Sequence, residues 1–364
     1  MKKLLLLLSL PFMMMGCLDD DSLEMSNTKL GNFEACWRAV DEHYCFFEEK
    51  NIDWNKVHRA YEPYFRDSVK TLLDEFYLMG NMLANLRDGH VDLYAAFDVA
   101  RYWKWSKDYP PNFDANLVDR FYLKDNQMIA SGIRYQMLPD SVGYVRYASF
   151  ASAVGESNLD YVLYLLRQAK GLIIDIRDNG GGALTNVPLI ANRFCTEKQV
   201  YGYMKHKTGP GHNEFSEPKE LYLEPEKNRV FWDASTQPVV VLTNRSVFSA
   251  ANTFVAAMQS LDGTMTKDSL GVPHPKIVKV VGDSTGGGGG MPFETVLPVG
   301  WRLRMSACPI LDRNKKQIEA GIAPDFRVEM DSLNAFNNHV DDIIEYARTY
   351  INNNTRKEYP PKKE

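Results

Sequence analysis

Apolar residues in the first quarter of the chain recur at three- and four-residue intervals, which is the spacing of one face of a helix. From Asn32 onward these positions are Phe33, Cys36, Trp37, Val40 and Tyr44. Asp53 precedes Trp54 as a candidate N-cap of a second helix. A third helix is predicted over about 69–86, and its apolar face contains Leu72, Phe76, Met79 and Leu83. We therefore predict a small helical domain over residues 30–90.

Beyond residue 90 the pattern changes to short apolar segments that alternate with helical ones. The predicted strands are 91–94, 143–147, 171–177, 238–244 and 277–282, and the predicted helices are 159–168 and 249–260. Such alternation is typical of an α/β core with a mostly parallel sheet. We expect this mixed α/β core to cover residues 91–350, with a polar tail at 351–364.

The composition excludes several classes of protein. The 364 residues are 45% hydrophobic and 24% charged, which is ordinary globular usage and excludes a disordered, collagen-like or disulfide-framework chain. The net charge of −5 gives no reason to expect a nucleic-acid partner.

The N-terminus has the order of a secretory signal: Lys2 and Lys3, an apolar stretch, and Gly16 before Cys17. The stretch is too short to span a bilayer stably, so residues 1–16 are predicted to be a signal peptide, with a buried N-terminal helix as the alternative. The segment 14–17 resembles the lipobox of bacterial lipoproteins, although Met stands where Leu is usual. This resemblance implies that Cys17 is lipidated and that residues 17–29 are an acidic tether.

The acidic run 19–21 resembles the surface-export signal of lipoproteins in the Bacteroides group. The implied location is the cell envelope. The protein would be lipid-anchored to the outer membrane of a bacterium and would face either the periplasm or the cell surface. The other four cysteines, Cys36, Cys45, Cys195 and Cys308, form no CxxC pair and no Cys/His cluster with metal spacing. We predict buried free thiols, with a Cys36–Cys45 disulfide as the alternative.

Ser249 is a candidate nucleophile because it lies between a buried strand ending at Asn244 and a predicted helix. At such a turn a hydroxyl is accessible at the sheet edge, and N–H groups at the helix start can stabilise negative charge. An ordinary N-cap serine is the alternative. Ser246 is a second candidate hydroxyl, more suited to the turn itself.

Three further segments carry candidate chemistry. The strand ending at Arg177 leads into Gly180, Gly181 and Gly182, where the backbone can approach a ligand closely; a flexible turn is the alternative. His90 lies at a helix-to-strand boundary and is a candidate general base; a structural histidine is the alternative. Glu319, just before a Gly and Pro turn, is a carboxylate that could orient a histidine; an ordinary surface loop is the alternative.

Together these four segments resemble, in their order along the chain, the C-terminal processing (tail-specific) serine peptidases and their tricorn-core relatives. The matching pieces are 86–91, 172–182, 239–254 and 319–325, and the resemblance covers about residues 30–350. It implies a ClpP/crotonase-like core after the helical domain. His90 and Ile174 are only 84 positions apart in the sequence, so no PDZ domain is expected in that stretch.

The family has a Ser–Lys branch and a tricorn-like Ser–His–Glu branch. The glycine-rich turn after the strand 277–282 contains no lysine, and Lys276 and Lys279 lie at the wrong end of that strand. The resemblance therefore implies the arrangement Ser249/His90/Glu319. Gly89 departs from the tricorn-like branch, which often has Ser just before the catalytic histidine.

The implied activity is a serine endopeptidase acting on peptide or protein substrates, without metal or organic cofactor and with its membrane contact through the lipid alone. Ser249 would attack, His90 would accept the proton, and Glu319 would orient His90 and raise its pKa. Ala250 and either Gly181 or Gly182 would hold the oxyanion. Two alternatives remain open: a catalytically inactive binder of peptides or hydrophobic ligands, and a phosphate site at Gly286–Gly290, which lacks the Lys-Ser/Thr of a P-loop.

Overall fold

The computed structural model describes residues 27–267 and 271–356. The predicted signal peptide, the lipidation at Cys17 and the acidic export signal therefore lie outside the described residues. Within the described ranges, no helix is both long and apolar enough to cross a membrane.

The five helices that the apolar periodicity predicts are confirmed, and the described residues contain five more that were not predicted, the last of which runs past residue 350 into the predicted polar tail. In chain order they are α1 (Lys29–His43), α2 (Trp54–Asp67), α3 (Leu72–Leu83), α4 (Lys104–Lys107), α5 (Ala115–Leu117), α6 (Glu156–Leu166), α7 (Asn186–Ala191), α8 (Ala250–Leu261), α9 (Ser332–Asn338) and α10 (Asp342–Asn354). Asp53 caps α2 by accepting the Lys56 N–H, as predicted. Thr71 and Asp74 form a reciprocal capping box that starts α3, which explains why this helix begins later than predicted.

The strands of the described residues build two main sheets and one hairpin. In chain order they are β1 (Asp92–Tyr94), β2 (Val99–Arg101), β3 (Met128–Ala130), β4 (Ile133–Met137), β5 (Gly143–Tyr147), β6 (Leu172–Asp175), β7 (Gln199–Met204), β8 (Lys219–Leu223), β9 (Val239–Thr243), β10 (Met265–Lys267), β11 (Pro273–Pro275), β12 (Val278–Gly282), β13 (Gly290–Val296), β14 (Arg302–Asp312) and β15 (Phe326–Arg327).

The larger sheet confirms the predicted α/β core. Its order is β15-β12-β9-β6-β5-β4-β3, and the five strands from β15 to β5 are parallel. The central strands β6 and β9 are buried at every position, as expected for a sheet covered on both faces. Because β6 and β9 are parallel neighbours, the loops that follow them meet at one edge.

A second, antiparallel sheet was not predicted from the sequence. Its order is β2-β1-β14-β7-β8, and β13 pairs with β14. The helices α1–α3 share a hydrophobic core with this sheet, including Leu303 and Met305 of β14. The long β14 therefore joins the helical N-terminal part to the remainder of the chain.

A buried ion network ties the C-terminal helix to the parallel sheet. Arg177, which is fully buried, donates to Asp175 at the end of β6 and to Asp341, the N-cap of α10, at distances of 2.6–3.0 Å. Burial raises the pKa of Asp341 above its usual value, whereas at Asp175 the neighbouring arginines outweigh burial and lower the pKa. The network fixes the end of β6, from which the glycine segment 180–182 departs.

All four cysteines of the described residues are free, as predicted, but only Cys36 and Cys195 are buried, whereas Cys45 and Cys308 are partly exposed. Cys36 is buried in the helical part, and burial raises the pKa of its thiol far above the usual range.

Candidate active site

Ser249 lies in a strained turn between β9 and α8. Its φ of 57° and ψ of −125° are rare for a residue with a Cβ, and such strain is typical of functional turns. Its side chain makes no N-cap hydrogen bond to α8, so the alternative of an ordinary capping serine is not what this structure shows. The hydroxyl instead lies 3.0 Å from the Nε2 of His90.

The glycine run 286–290 holds this turn in place. The carbonyl of Gly287 accepts the Ser249 N–H at 2.9 Å. A Cβ atom on any of the five glycines would lie within 2.8 Å of another protein atom, and at Gly287 it would lie 1.8 Å from the Glu319 carbonyl oxygen. Close packing around Ser249 and Glu319 therefore accounts for the glycines without a phosphate ligand.

His90 is positioned from both sides. Its backbone N–H donates to the Asp88 carboxylate at 2.8 Å, and its ring packs 4.6 Å from the Phe248 ring, centroid to centroid. The side chain is buried, with 2% exposure. Burial lowers the pKa of His90 to about 4, with Arg304 adding to the decrease and Asp88 opposing it. The imidazole is therefore neutral at neutral pH, the form that a general base requires.

Glu319 does not contact His90. Its Oε1 accepts from the Lys50 ammonium at 2.7 Å and its Oε2 accepts from the Gly289 N–H at 2.8 Å. The Nδ1 of His90 is buried and makes no hydrogen bond to any described residue. The sequence-based expectation of a direct Glu319–His90 contact that raises the histidine pKa is therefore wrong in this structure, because Lys50 occupies the carboxylate and burial dominates the pKa.

Lys50 joins Glu319 to the loop that carries His90. Its ammonium also lies 3.3 Å from Asp88, and Asp88 accepts a further hydrogen bond from the Tyr44 hydroxyl at 3.0 Å. Burial disfavours the charge on Asp88, yet Lys50 and His90 hold the pKa of that carboxyl below its usual value. Burial and the charge of Asp88 raise the pKa of Glu319 to about 8. Despite its own burial, Lys50 has a raised pKa because two carboxylates face it.

Sequence reasoning missed both Lys50 and Asp88 as members of the site. Asp88 could have been found, because it stands two residues before His90 in the same short segment. At this spacing an aspartate side chain commonly accepts a backbone N–H in a turn. Lys50 had none, because it reaches Glu319 across 269 residues of sequence.

The glycine segment after β6 forms the wall of the cleft next to Ser249. Asn179 connects the two, since its carbonyl accepts the Phe248 N–H at 3.0 Å and its Oδ1 accepts the Gly181 N–H at 3.0 Å. The Gly181 N–H is thus engaged, whereas the N–H groups of Ala250 and Gly182 donate to no acceptor among the described residues. Of the predicted oxyanion donors, Ala250 and Gly182 are the two with a free N–H.

Ser249, His90 and the glycine segment line one cleft of about 580 Å³. Its other lining residues are Gly89, Arg101, Trp103, Trp105, Ser106, Asp178, Ser246, Phe248 and Arg304. The space beside Gly89 is filled by aromatic rings, because a Cβ atom there would lie 2.6 Å from the Trp105 Nε1 and 2.8 Å from Phe248. A hydroxyl relay from position 89 is excluded by both the residue and its surroundings.

The two lysines considered for a Ser–Lys pair have other partners. Lys276 donates to the Thr196 hydroxyl at 2.8 Å and Lys279 donates to Asp262 at 2.5 Å. Both partners lie near the N-terminal end of β12, whereas the glycine run that holds Ser249 follows the C-terminal end of this strand.

Comparison with known proteins places the chain among peptidases. The model of "Peptidase family S41" matches residues 141–268, and that of the "Tricorn protease C1 domain" matches residues 26–84. A solved structure from Parabacteroides merdae ATCC 43184, assigned as a peptidase, is 43% identical, covers 90% of this chain and 97% of its own, and has a TM-score of 0.81.

Two more distant proteins are also similar to this chain, one in sequence and one in fold. The carboxy-terminal processing protease CtpA of Bacillus subtilis (strain 168) is 25% identical over 197 residues, which are 54% of this chain and 36% of CtpA. The match thus spans about a third of that protein. Mature CPAF has a similar fold, with a TM-score of 0.64 at 10% identity over 90% of this chain and 98% of its own.

The packing at Gly287 leads to a stability prediction with a matched control. Gly287 and Gly300 have nearly equal φ values of +87° and +88°, but a Cβ at Gly300 would meet nothing within 4 Å. Gly300→Ala should lower the free energy of unfolding by about 1–2 kcal/mol through backbone strain alone. Gly287→Ala should lose about 1–3 kcal/mol more through overpacking against Glu319. Urea unfolding of both variants measures the difference, and equal losses would contradict the assigned packing.

Proposed function

This chain belongs to peptidase family S41, a family of serine-type peptidases, and from that premise we propose that it is an endopeptidase that hydrolyses peptide bonds of protein or peptide substrates. The observation that carries the proposal is the 3.0 Å hydrogen bond between the Ser249 hydroxyl and the His90 Nε2. It lies in an open cleft, and the serine hydroxyl takes no part in helix capping.

In the proposed mechanism His90 accepts the Ser249 proton at Nε2 while the serine oxygen attacks the peptide carbonyl. The N–H groups of Ala250 and Gly182 stabilise the resulting oxyanion, and a donor of this kind contributes about 3–4 kcal/mol in a hydrolase. The histidine then protonates the leaving amine. In the second half-reaction it activates a water molecule that releases the acyl group.

We assign Glu319 an indirect role in this arrangement. Glu319 anchors Lys50, Lys50 pairs with Asp88, and Asp88 fixes the backbone of His90. Glu319 also accepts the Gly289 N–H, two residues from the carbonyl that holds Ser249. It is therefore a positioning residue for both the base and the nucleophile.

One observation favours the alternative of a catalytically inactive peptide binder. The buried Nδ1 of His90 makes no hydrogen bond to a described residue, whereas serine peptidases usually orient that nitrogen with a third group. Trp103, Trp105 and Phe248 give the cleft an aromatic wall on which an apolar ligand could pack. Reaction of the purified protein with a fluorophosphonate probe separates the two functions, because only an activated serine is labelled.

The nucleophile prediction compares the two serines of the cleft. Ser249→Ala should abolish both peptide hydrolysis and fluorophosphonate labelling in a folded protein, whereas Ser246→Ala should keep both. His90→Ala should lower the rate about 10²–10⁴-fold as general-base assistance is lost, and Lys276→Ala should have no such effect. Loss of activity in Ser246→Ala or Lys276→Ala with full activity in Ser249→Ala or His90→Ala would contradict the assignment.

The pH prediction follows from the lowered pKa of His90. Since only the neutral imidazole accepts the serine proton, the acidic limb of kcat/KM should lie well below the ordinary histidine pKa of about 6.5, towards pH 4. Arg304→Gln removes a charge that lowers this pKa, so its limb should move to higher pH. A Ser–Lys pair would instead give an alkaline limb.

Folding must be followed in the same experiment. A histidine with a folded-state pKa below its unfolded value makes stability fall as the pH drops from about 6.5 towards the folded pKa. Circular dichroism at each pH separates acid unfolding from titration of the base. An acidic limb at or above pH 6.5 in folded protein would contradict the assigned environment of His90.

We also propose that the protein is a lipoprotein, anchored through Cys17 to a bacterial membrane, the outer one. The support is the order of Lys2–Lys3, the apolar stretch, Gly16 and Cys17. Cys17→Ser should release the protein from the membrane fraction and remove a lipid-sized mass from its N-terminus, as fractionation and mass spectrometry would show; Cys36→Ser is the matched control. An unmodified, soluble wild-type chain would refute the anchor.

A further inference from the structure

Two arginines lie side by side in the cleft that contains Ser249 and His90. Asp92 of β1 is directly opposite Arg101 of β2 on one side and Arg304 of β14 on the other. The antiparallel sheet therefore brings both guanidinium groups to one place. Both line the cleft and are about a quarter exposed, at 25% and 26% of the side chain.

A single buried carboxylate holds the pair. Asp92 is fully buried and accepts from the Arg101 Nη2 at 2.8 Å, while the Arg304 Nη1 lies 3.5 Å from the same carboxylate. The Tyr94 hydroxyl also donates to Asp92 at 2.9 Å. The Trp103 ring lies 5.0 Å from the Arg101 guanidinium and further limits its orientation. The two arginines are thus fixed by interactions inside the sheet.

The pair retains unused donors and an excess of positive charge. The Arg101 Nη1 and the Arg304 Nη2 make no hydrogen bond to any residue in the described ranges. Glu294 approaches the Arg304 Nε at 3.6 Å but also pairs with Arg302. Asp178, the acidic residue among those that line the cleft, accepts from the Asn244 amide at 2.7 Å.

We propose that Arg101 and Arg304 form a carboxylate-binding subsite, so that substrates carry a carboxylate close to the bond that is cleaved. This inference rests on the proposed peptidase function and specifies its substrate class. Two adjacent guanidinium groups with free N–H donors match the two oxygens of a carboxylate. The carboxylate can belong to an acidic side chain or to the C-terminus of the peptide, and both present the same chemistry to the arginines.

The experiment begins with cleavage of a mixture of synthetic random-sequence peptides, in which mass spectrometry identifies a cleaved sequence. That peptide is then made in three forms: unchanged, with its acidic side chains as amides, and with its C-terminus as an amide. The ratio of kcat/KM between the unchanged and each amide form is measured at pH 8, where His90 is neutral in every variant.

The wild-type ratio should be about 10–100 for the form that removes the recognised carboxylate, as expected for charge-assisted hydrogen bonds. The form that gives this ratio identifies the source of the carboxylate. Arg101→Gln and Arg304→Gln should each reduce the ratio at least tenfold. Arg302→Gln, which alters a neighbouring arginine of β14 that does not line the cleft, should leave it unchanged.

A wild-type ratio near one, or a ratio retained in both variants, would overturn the subsite while leaving the peptidase intact. A merely structural effect slows all three peptide forms equally and leaves the ratio unchanged, so it also counts against the proposal. If the wild type cleaves no peptide of the mixture, the proposed function fails. Equilibrium binding of the same mixture to Ser249→Ala, before and after conversion of its carboxylates to amides, then tests the subsite alone.

Discussion

The buried ammonium group of Lys50 connects three segments that are far apart in the sequence. It lies between the carboxylates of Asp88 and Glu319, at 3.3 and 2.7 Å, and thereby joins the helical part of the chain to the loop before the β1 strand and to the turn after β14. Removing one charge from such a buried group leaves the others uncompensated, which is strongly unfavourable. The contact also links the two catalytic candidates, because Asp88 holds the backbone of His90 and Glu319 accepts the N–H of Gly289, two residues from the Gly287 carbonyl that holds Ser249.

The charge states of the site depend on a single cation, Lys50, that faces the two carboxylates of Asp88 and Glu319. Asp88 keeps its charge and holds the histidine backbone, whereas the pKa of Glu319 rises to about 8 because burial and Asp88 both oppose its ionisation. His90 is neutral for a separate reason, the burial of its ring. A neutral base beside a hydroxyl is thus obtained without a carboxylate on the imidazole. The aromatic rings of Trp105 and Phe248, packed against Gly89, fill the place from which the tricorn-like branch often supplies a serine.

Much of the fold and part of the site could be predicted from local sequence patterns. The helices α1–α3 and the strands β6, β9 and β12 are buried on one face or both. Their buried positions are apolar, so the burial is visible as a periodic pattern in the sequence. Ser249 and His90 stand at boundaries between elements, where the change of pattern is itself visible. The antiparallel sheet was missed for two reasons. The strands β1 and β2 have only three residues each, and most positions of β2 and β8 are partly or fully exposed, so these strands carry little alternation. In addition, β14 pairs with strands from distant parts of the chain.

Local sequence patterns were sufficient to predict the α/β core, the serine turn, the histidine and the absence of a lysine after β12, since each depends on contiguous residues. The folded chain was needed to show that Glu319 bonds to Lys50 instead of His90, that Gly287 in the glycine run accepts the Ser249 N–H, and that Arg101 and Arg304 share Asp92. These are contacts between segments brought together by sheet pairing, and their energies depend on burial and on which charges meet. Neither quantity is a property of a short stretch of chain, so local spacing could place the residues near a site but could not assign their partners.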